Sequence, residues 1–136
     1  MKIISSPFSF KGIGHLGSIY RPYLKIHITS EKIDEWIPVE VVVDTGADYC
    51  MFPQKFAEIL DIDIKKECYA EKTLGVGGKE AVYLYKKGIR MKINTWEKTV
   101  PVGFLGDDNI PVLLGRLGCL ELLTLTMKHH TTTLET

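Results

Sequence analysis

The sequence lacks several features that would assign it to a familiar class of protein. Only three of its 136 residues are cysteine. None of the three forms a C-x-x-C pair, so neither a zinc knuckle nor a thioredoxin-like motif is available. Lysine plus arginine and aspartate plus glutamate both number 17, which leaves no net charge to attract nucleic acid or an anionic membrane. No apolar run approaches the roughly 20 residues that span a bilayer. We therefore expect neither a nucleic-acid partner nor a membrane partner.

The composition that remains is ordinary for a globular domain. The chain is 45% apolar and 25% charged, and its length fits one domain over residues 1–136. The opening segment MKIISSP lacks the continuous apolar core of a signal peptide, so we expect a cytoplasmic protein. Residues 1–20, which contain three glycines, are expected to form an irregular lead-in. Residues 129–136 are expected to form either a strand, which could serve an interface, or a frayed tail.

An alternation of apolar and other residues with period two is the main structural signal. It runs through 24–28, 37–43, 89–93 and 100–104, as half-buried strands require. Helical patterning is scarce: Pro53 with the apolar positions that follow it predicts one short helix, and 116–123 a second. Many short strands separated by turns indicate an all-β barrel or sandwich.

Two glycine-rich segments and four histidines offer little support for a cofactor or a metal. Residues 12–17 read G-x-G-x-x-G, but an alternating strand follows where a dinucleotide site needs a helix. Residues 75–80 lack the spacer of a phosphate-binding loop and the hydroxyl residue after its lysine. The histidines do not form a spaced ligand set. We expect no cofactor and no metal.

The most informative segment is the one in which an apolar strand, 41–43, ends in Asp44-Thr45-Gly46-Ala47. Strand interiors disfavour aspartate and glycine, so the chain here directs a carboxylate into a tight turn. One interpretation is a turn in which Asp44 caps the backbone. The other is a catalytic aspartate, because a carboxylate beside a hydroxyl and a glycine is what water-activating aspartic proteases use.

Two further segments favour the catalytic interpretation. Leu74-Gly75-Val76-Gly77-Gly78 and Val112-Leu113-Leu114-Gly115-Arg116 follow Asp44–Asp48 in the chain. With these three segments in this order, the chain resembles the retropepsin-like aspartic proteases, the single-lobe family that includes the retroviral proteases. The resemblance implies a closed acid-protease barrel with one or two short helices. It also implies a flap, a mobile hairpin covering the active site.

The resemblance also implies roles for individual residues. Asp44 would be catalytic, with Thr45 and Gly46 beside it, and Arg116 would support the loop by pairing with Asp48. The implied substrate-binding residues are Ala47, Asp48, Leu74, Gly75, Val76, Gly77, Gly78, Val112 and Leu113.

The number of catalytic motifs constrains the assembly. Hydrolysis of this type needs two carboxylates that share one proton, yet Asp-Thr-Gly occurs once and the chain contains no internal repeat. A symmetric homodimer would supply the second Asp44. The leading hypothesis is thus a homodimeric aspartic endopeptidase acting on extended segments of protein chains. A catalytically weak peptide-binding dimer of the same fold, and a structural β-barrel in which Asp44 only caps a turn, are the alternatives.

The cysteines remain open to two interpretations. Cys50, Cys68 and Cys119 are expected to be reduced residues in or near the core. Because Cys50 lies six residues after Asp44, it could instead be a redox-sensitive group near the site.

Overall fold

Strands make up most of the chain in the computed structural model, which describes residues 1–75 and 78–136. Among these residues there are twelve strands, two short α-helices and one 3-10 turn. The strands are β1 (Lys2–Pro7), β2 (Ser9–Gly14), β3 (Gly17–Arg21), β4 (Tyr23–Thr29), β5 (Ile37–Val43), β6 (Cys50–Pro53), β7 (Tyr69–Gly75), β8 (Gly78–Ile93), β9 (Trp96–Leu105), β10 (Val112–Leu114), β11 (Thr124–Lys128) and β12 (Thr131–Glu135). The helices are α1 (Lys55–Ile59) and α2 (Ile64–Glu67), and the 3-10 turn covers Leu120–Leu122.

Six of these strands close into a barrel. Their order is β4-β5-β10-β6-β9-β8, and the additional pairing of β4 with β8 completes the ring. β7 continues the sheet beyond β8. Most neighbours are antiparallel, but β10 runs parallel to β5 and β6 runs parallel to β9. The prediction of an all-β closed barrel with one or two short helices is confirmed.

The alternating residues of the predicted strands fill the barrel. In β4, Leu24, Ile26 and Ile28 are buried while Lys25 and His27 between them are exposed. Each inward side chain removes apolar surface from water, which is the main force that holds the strands together. The alternating positions of β5, β8 and β9 contribute to the same core. In that core, the ring of Phe104 in β9 contacts the ring of Phe52 in β6. This packed interior provides a fixed base for the loops at its rim.

The expectation of an irregular lead-in is wrong. Residues 2–7 form β1, which pairs antiparallel with β12 in a three-stranded sheet of order β1-β12-β11. Residues 129–136 therefore contain a strand rather than a frayed tail. β2 and β3 form a separate two-stranded hairpin, in which Gly12 and Gly17 have positive φ. A local pattern could not reveal β1, because its partner lies at the other end of the sequence.

The two predicted helices are shorter than expected, and α2 was not predicted. Pro53 is still in β6, and α1 begins only at Lys55. The second predicted helix is reduced to the 3-10 turn, because Gly118 adopts a left-handed φ of 69° that regular helix does not allow. Among the described residues, no helix has the length and the apolar character needed to cross a membrane.

A close backbone contact joins β10 to the start of β6. A Cβ atom placed on Gly115 would lie 2.1 Å from the carbonyl oxygen of Tyr49. Only glycine permits this approach, because no other residue lacks the Cβ. The amide of Gly115 also donates to the sulfur of Cys50 at 3.3 Å. Gly115 therefore sets the spacing between the two segments.

Two of the three cysteines are buried in this region. Cys50 and Cys119 are fully buried, and Cys68 is half-buried. The hydrogen bond with Cys50, together with burial, holds the pKa of the Cys119 thiol well above its usual range. Burial raises the pKa of Cys68 to about 11. Cys50 is thus an interior residue, a position that does not suit an accessible redox-sensitive group.

Replacement of Gly115 by alanine is expected to lower the free energy of unfolding by about 3 kcal/mol, because the new methyl group collides with the Tyr49 carbonyl. Chemical denaturation at fixed protein concentration measures this. Gly106→Ala is the matched control, since its added Cβ would meet only Gln54 Oε1 at 3.7 Å. Equal stability of the two variants would contradict the proposed spacing role.

The thiols of the folded protein are expected to react slowly with a disulfide reagent at pH 8. At a pKa of about 11, only about one Cys68 thiol in a thousand is in the reactive thiolate form at that pH. The rate should rise as the pH approaches 11, and all three thiols should react rapidly once denaturant exposes them. Rapid modification of Cys50 in the folded protein, located by peptide mass, would contradict this expectation and show that the region around Cys50 opens to solvent.

Candidate functional site

Asp44 follows directly after β5 and is held there by the neighbouring strand. Leu113 and Leu114 of β10 lie beside Val42 and Val43 in parallel register. The amide of Asp44 donates to the carbonyl of Leu114 at 3.0 Å. The barrel therefore fixes the backbone of Asp44 at the point where two parallel strands end.

The turn that begins at Asp44 is closed by its own side chain. Oδ1 of Asp44 accepts a hydrogen bond from the amide of Gly46 at 2.9 Å, and the carbonyl of Asp44 accepts from the amide of Ala47 at 3.2 Å. A Cβ on Gly46 would lie 3.3 Å from Oδ1, so glycine leaves room for the carboxylate. Asp44 is half-buried, and Thr45 and Gly46 are exposed. Among the described hydrogen bonds of this carboxylate, capping uses Oδ1 alone, so the capping role and a chemical role are compatible.

The second half of the loop is attached to the segment after β10. The amides of Arg116 and Leu117 donate to the carbonyls of Ala47 and Asp48 at 3.1 and 2.8 Å. The guanidinium of Arg116 forms an ion pair with the carboxylate of Asp48, and its Nε donates to the Ala47 carbonyl at 3.4 Å. The structure thus brings together Asp48 and Arg116, as the resemblance implies. Both side chains are largely exposed, so in the single chain the ion pair itself contributes at most about 1 kcal/mol.

The two apolar residues predicted to line a groove lie on different sides of β10. Val112 is 5% exposed and packs in the core, so it does not line a surface groove. Leu113 is half-buried and lies opposite Met51 of β6. Of this pair, only Leu113 is placed where a bound molecule could reach it.

The glycine-rich segment lies at the end of a long hairpin. β7 and β8 pair antiparallel from Tyr69 with Leu84 to Gly75 with Gly78, with Leu74 opposite Lys79. The backbone therefore forms the hairpin that the sequence predicts. Val76 and Gly77, the residues between these strands, lie outside the described residues.

An apolar cavity beside the loop was not predicted. It has a volume of about 330 Å³ and includes Tyr49 and Leu117, the residues that follow Asp48 and Arg116. The rest of its lining comes from β8 and β9: Leu84, Tyr85, Lys86, Pro101 and Val102. Tyr49 and Leu117 could have been found from the sequence, because each directly follows a motif residue. The other lining residues could not, because only the pairing of β8 with β9 brings them to this cavity.

A larger cavity lies away from the loop. Its volume is about 560 Å³, and its lining, which includes Lys25, His27, Trp36 and Lys92, contains no residue of the Asp44 turn. The larger cavity is therefore separate from the Asp44 turn. Across residues 1–75 and 78–136, no group of three or more histidine, cysteine, aspartate or glutamate side chains is arranged to hold a metal ion.

Known proteins resemble this chain in fold and in sequence. A retropepsin-like aspartic protease from Rickettsia conorii has a similar crystal structure: the TM-score is 0.63, the identity is 16%, and the alignment covers 96% of each chain. This likeness shows that the fold is retropepsin-like. A search of curated protein sequences found no match. The sequence model of the family described as "Aspartyl protease" matches residues 30–116, a range that includes the Asp44 turn and Arg116. On this match, which spans more than half of its length, the chain belongs to the aspartyl protease family.

Proposed function

We propose that this protein is an aspartic endopeptidase that acts as a homodimer, with Asp44 of each subunit forming the catalytic pair. The observation that carries the proposal is the position of Asp44. It lies half-buried on a turn at the ends of two parallel strands, in a chain of the aspartyl protease family that has one such motif. A second copy is the simplest source of the second carboxylate.

The proposed reaction uses the two carboxyl groups in different protonation states. Like charges a few ångströms apart oppose each other, so the pair holds one proton between them. The ionised carboxylate removes a proton from a water molecule, whose oxygen then adds to the carbonyl carbon of the peptide bond. The protonated carboxyl group hydrogen-bonds the carbonyl oxygen and stabilises the negative charge that develops there. The carboxyl group that took the proton from water transfers it to the amide nitrogen, the C–N bond breaks as the carbonyl double bond forms again, and the pair is left with one proton as before.

The rest of the turn supports this pair. In the proposed dimer, the Thr45 hydroxyl bonds across to the partner's loop and holds the two turns together. Gly46 and Ala47 are small, so the backbone of an extended substrate can approach closely. The hydrogen bond from Gly46 to Oδ1 orients the carboxylate before substrate arrives. A catalytic group that is already oriented reacts faster than one that must first be ordered.

We propose that the β7–β8 hairpin is the flap. In this role, residues 74–78 cover the groove, exclude water and present backbone groups to an extended peptide as an added strand. Leu74 and Val76, together with Leu113, would contact apolar substrate side chains. The cavity beside Tyr49 and Leu117 is apolar and of a size that suits one large side chain, so it is a further candidate for substrate recognition.

Replacement of Asp44 by asparagine is expected to abolish cleavage while preserving the fold, because the amide oxygen can still cap the turn but the group no longer ionises. A peptide library incubated at about pH 4–7 and read by mass spectrometry measures this. Cleavage should be favoured under mildly acidic conditions and fade as both carboxyl groups of the pair ionise. Asp107→Asn is the matched control, because Asp107 caps the amide of Asn109 at 2.9 Å in a turn of the same kind.

Mixing the two proteins tests the shared site directly. Addition of excess Asp44→Asn protein to a fixed amount of wild type should reduce cleavage, because mixed dimers contain only one ionisable Asp44. Unchanged cleavage would show that a single chain suffices. A folded wild-type dimer that binds peptides but cuts none would instead support the peptide-binding module.

Replacement of Arg116 by alanine is expected to weaken the dimer by about tenfold and to lower the stability of the single chain by no more than about 1 kcal/mol, since the ion pair with Asp48 is exposed before assembly. Sedimentation equilibrium and thermal denaturation measure the two effects separately. Arg116→Lys retains the charge without the planar guanidinium and should be intermediate. A variant whose dimer constant and melting temperature both equal those of wild type would contradict this supporting role.

A further inference from the structure

The β2–β3 hairpin carries five of the eleven large apolar side chains that are exposed in the described chain. We call residues 9–21 the hairpin arm. Ile13 is 81% exposed, and Leu16 in the connecting turn is fully exposed. The other exposed apolar residues of the arm are Phe10, Ile19 and Tyr20. Contiguous apolar surface of this kind on a folded protein marks a place where another molecule binds.

Three of these side chains share one face of the arm. Phe10 lies opposite Tyr20, and Ile13 lies opposite Ser18. Paired residues point to the same side of a sheet, as do residues two apart in one strand. Tyr20 and Ser18 are two apart in β3 and so point to the same side. Their partners Phe10 and Ile13 therefore lie on that side too, next to Tyr20. This face resembles one half of a packed interior rather than a solvated surface.

The arm is anchored along its inner half, where the Lys11 ammonium lies 3.9 Å from the centre of the Tyr23 ring and 3.8 Å from Glu40 Oε1. The ring of His130, in the β11–β12 turn, stacks on Tyr20 at 4.5 Å and on Phe8 at 5.9 Å between ring centroids. The amide of Phe8 donates to the carbonyl of His130 at 2.7 Å. These contacts fix the base, while the outer part, with Ile13 and Leu16, has no apolar cover. An isolated two-stranded hairpin is marginally stable in water, so a second surface that covers this part would stabilise it.

The base of the arm lies next to the catalytic turn. Pro22, the first residue after the arm, accepts a hydrogen bond from the amide of Val43 at 2.9 Å, and Val43 directly precedes Asp44. A dimer that places two Asp44 turns together must bring the partner to this part of the barrel. The arm therefore projects from a region that the partner has to approach.

The charge of the arm also suits a second copy of the chain. Its charged residues are Lys11 and Arg21, and it contains no carboxylate. Because the whole chain has no net charge, the remainder is net acidic. Lys11 already lies 3.8 Å from Glu40 of its own chain, so the charge that suits the net acidic body of a second copy is that of Arg21, and the arm carries no carboxylate that would oppose the contact.

We infer that the hairpin arm is the dimerisation arm: its apolar face packs on the second copy, and the pair of Asp44 residues does not assemble without it. This inference rests on the proposed function, because it assigns the arm to the homodimer that the proposed catalytic pair requires. It is distinct from the use of the terminal sheet as an interface, since β1 is already paired with β12 of the same chain.

The triple variant Phe10→Ser, Ile13→Ser, Leu16→Ser tests the inference. Its dimer dissociation constant, measured by sedimentation equilibrium, should rise by about 100-fold or more, as loss of clustered apolar anchors predicts. The circular dichroism of the monomer should be unchanged, because these side chains are already exposed. Cleavage should be lost at low protein concentration and recover as concentration rises, which a damaged active site would not do.

Two single variants control for loss of exposed apolar surface elsewhere. Ile59→Ser removes an exposed residue of α1, and Met127→Ser removes one from the edge strand β11, each residue being 44% exposed. Both should leave the dimer constant within about threefold of wild type. If the triple variant fails to fold, Leu16→Ser alone provides the same test, since Leu16 is fully exposed in the turn. It should weaken the dimer by about tenfold.

Other outcomes overturn the inference. These are a wild type that is monomeric at all concentrations, an arm variant with the dimer constant of wild type, and dissociation caused by Met127→Ser but not by the arm. Loss of binding to anionic lipid vesicles with an intact dimer would assign the arm to a membrane and also overturn it.

The two proposals can fail separately. A wild-type dimer that the arm variant dissociates, but that cuts no peptide, would refute the protease and retain the arm. If Asp44→Asn abolishes cleavage but the arm variant is as dimeric and active as wild type, the protease proposal is retained and the arm inference is refuted.

Discussion

The parallel pairing of β5 with β10 is the constraint on which the rest of the site depends. It places the end of one strand beside the end of another, and the hydrogen bond from Asp44 to Leu114 fixes the first residue of the turn. The chain after β10 then crosses the chain that leaves the turn, at the contact between Gly115 and Tyr49. The backbone bonds of Arg116 and Leu117 to the same loop follow from this crossing. An exposed loop is thereby held from both ends by a buried framework.

Local patterns predicted the elements whose determinants are local. The strand over 24–28 follows from alternation alone, because the barrel interior requires an apolar residue at every second position. The turn at Asp44 and the pairing of Asp48 with Arg116 came from motifs, and the structure brings these residues together. The catalytic use of Asp44 remains a proposal, because chemistry depends on a second carboxylate that one chain does not contain.

Two of the features that were missed depend on distant parts of the chain. β1 is a strand because β12 is available to pair with it, and residues 2–7 contain too little alternation to indicate this. The hairpin arm was hidden for another reason: its glycines suggested irregular chain, and its apolar residues face solvent rather than the core. The cavity at Tyr49 and Leu117 draws residues from four separate segments. Its existence follows from the fold and not from any one motif.

The long separation between paired strands has a consequence for synthesis of the protein. β5 lacks one of its two neighbouring strands until β10 has been synthesised. β1 has no partner until the ribosome has synthesised β12. Pairings between distant segments close slowly, since a long loop must be ordered before any contact compensates for the lost entropy. The segment around Asp44 is therefore translated early but acquires its geometry late. During translation, the nascent chain carries the acidic turn without the framework that would give it a defined shape.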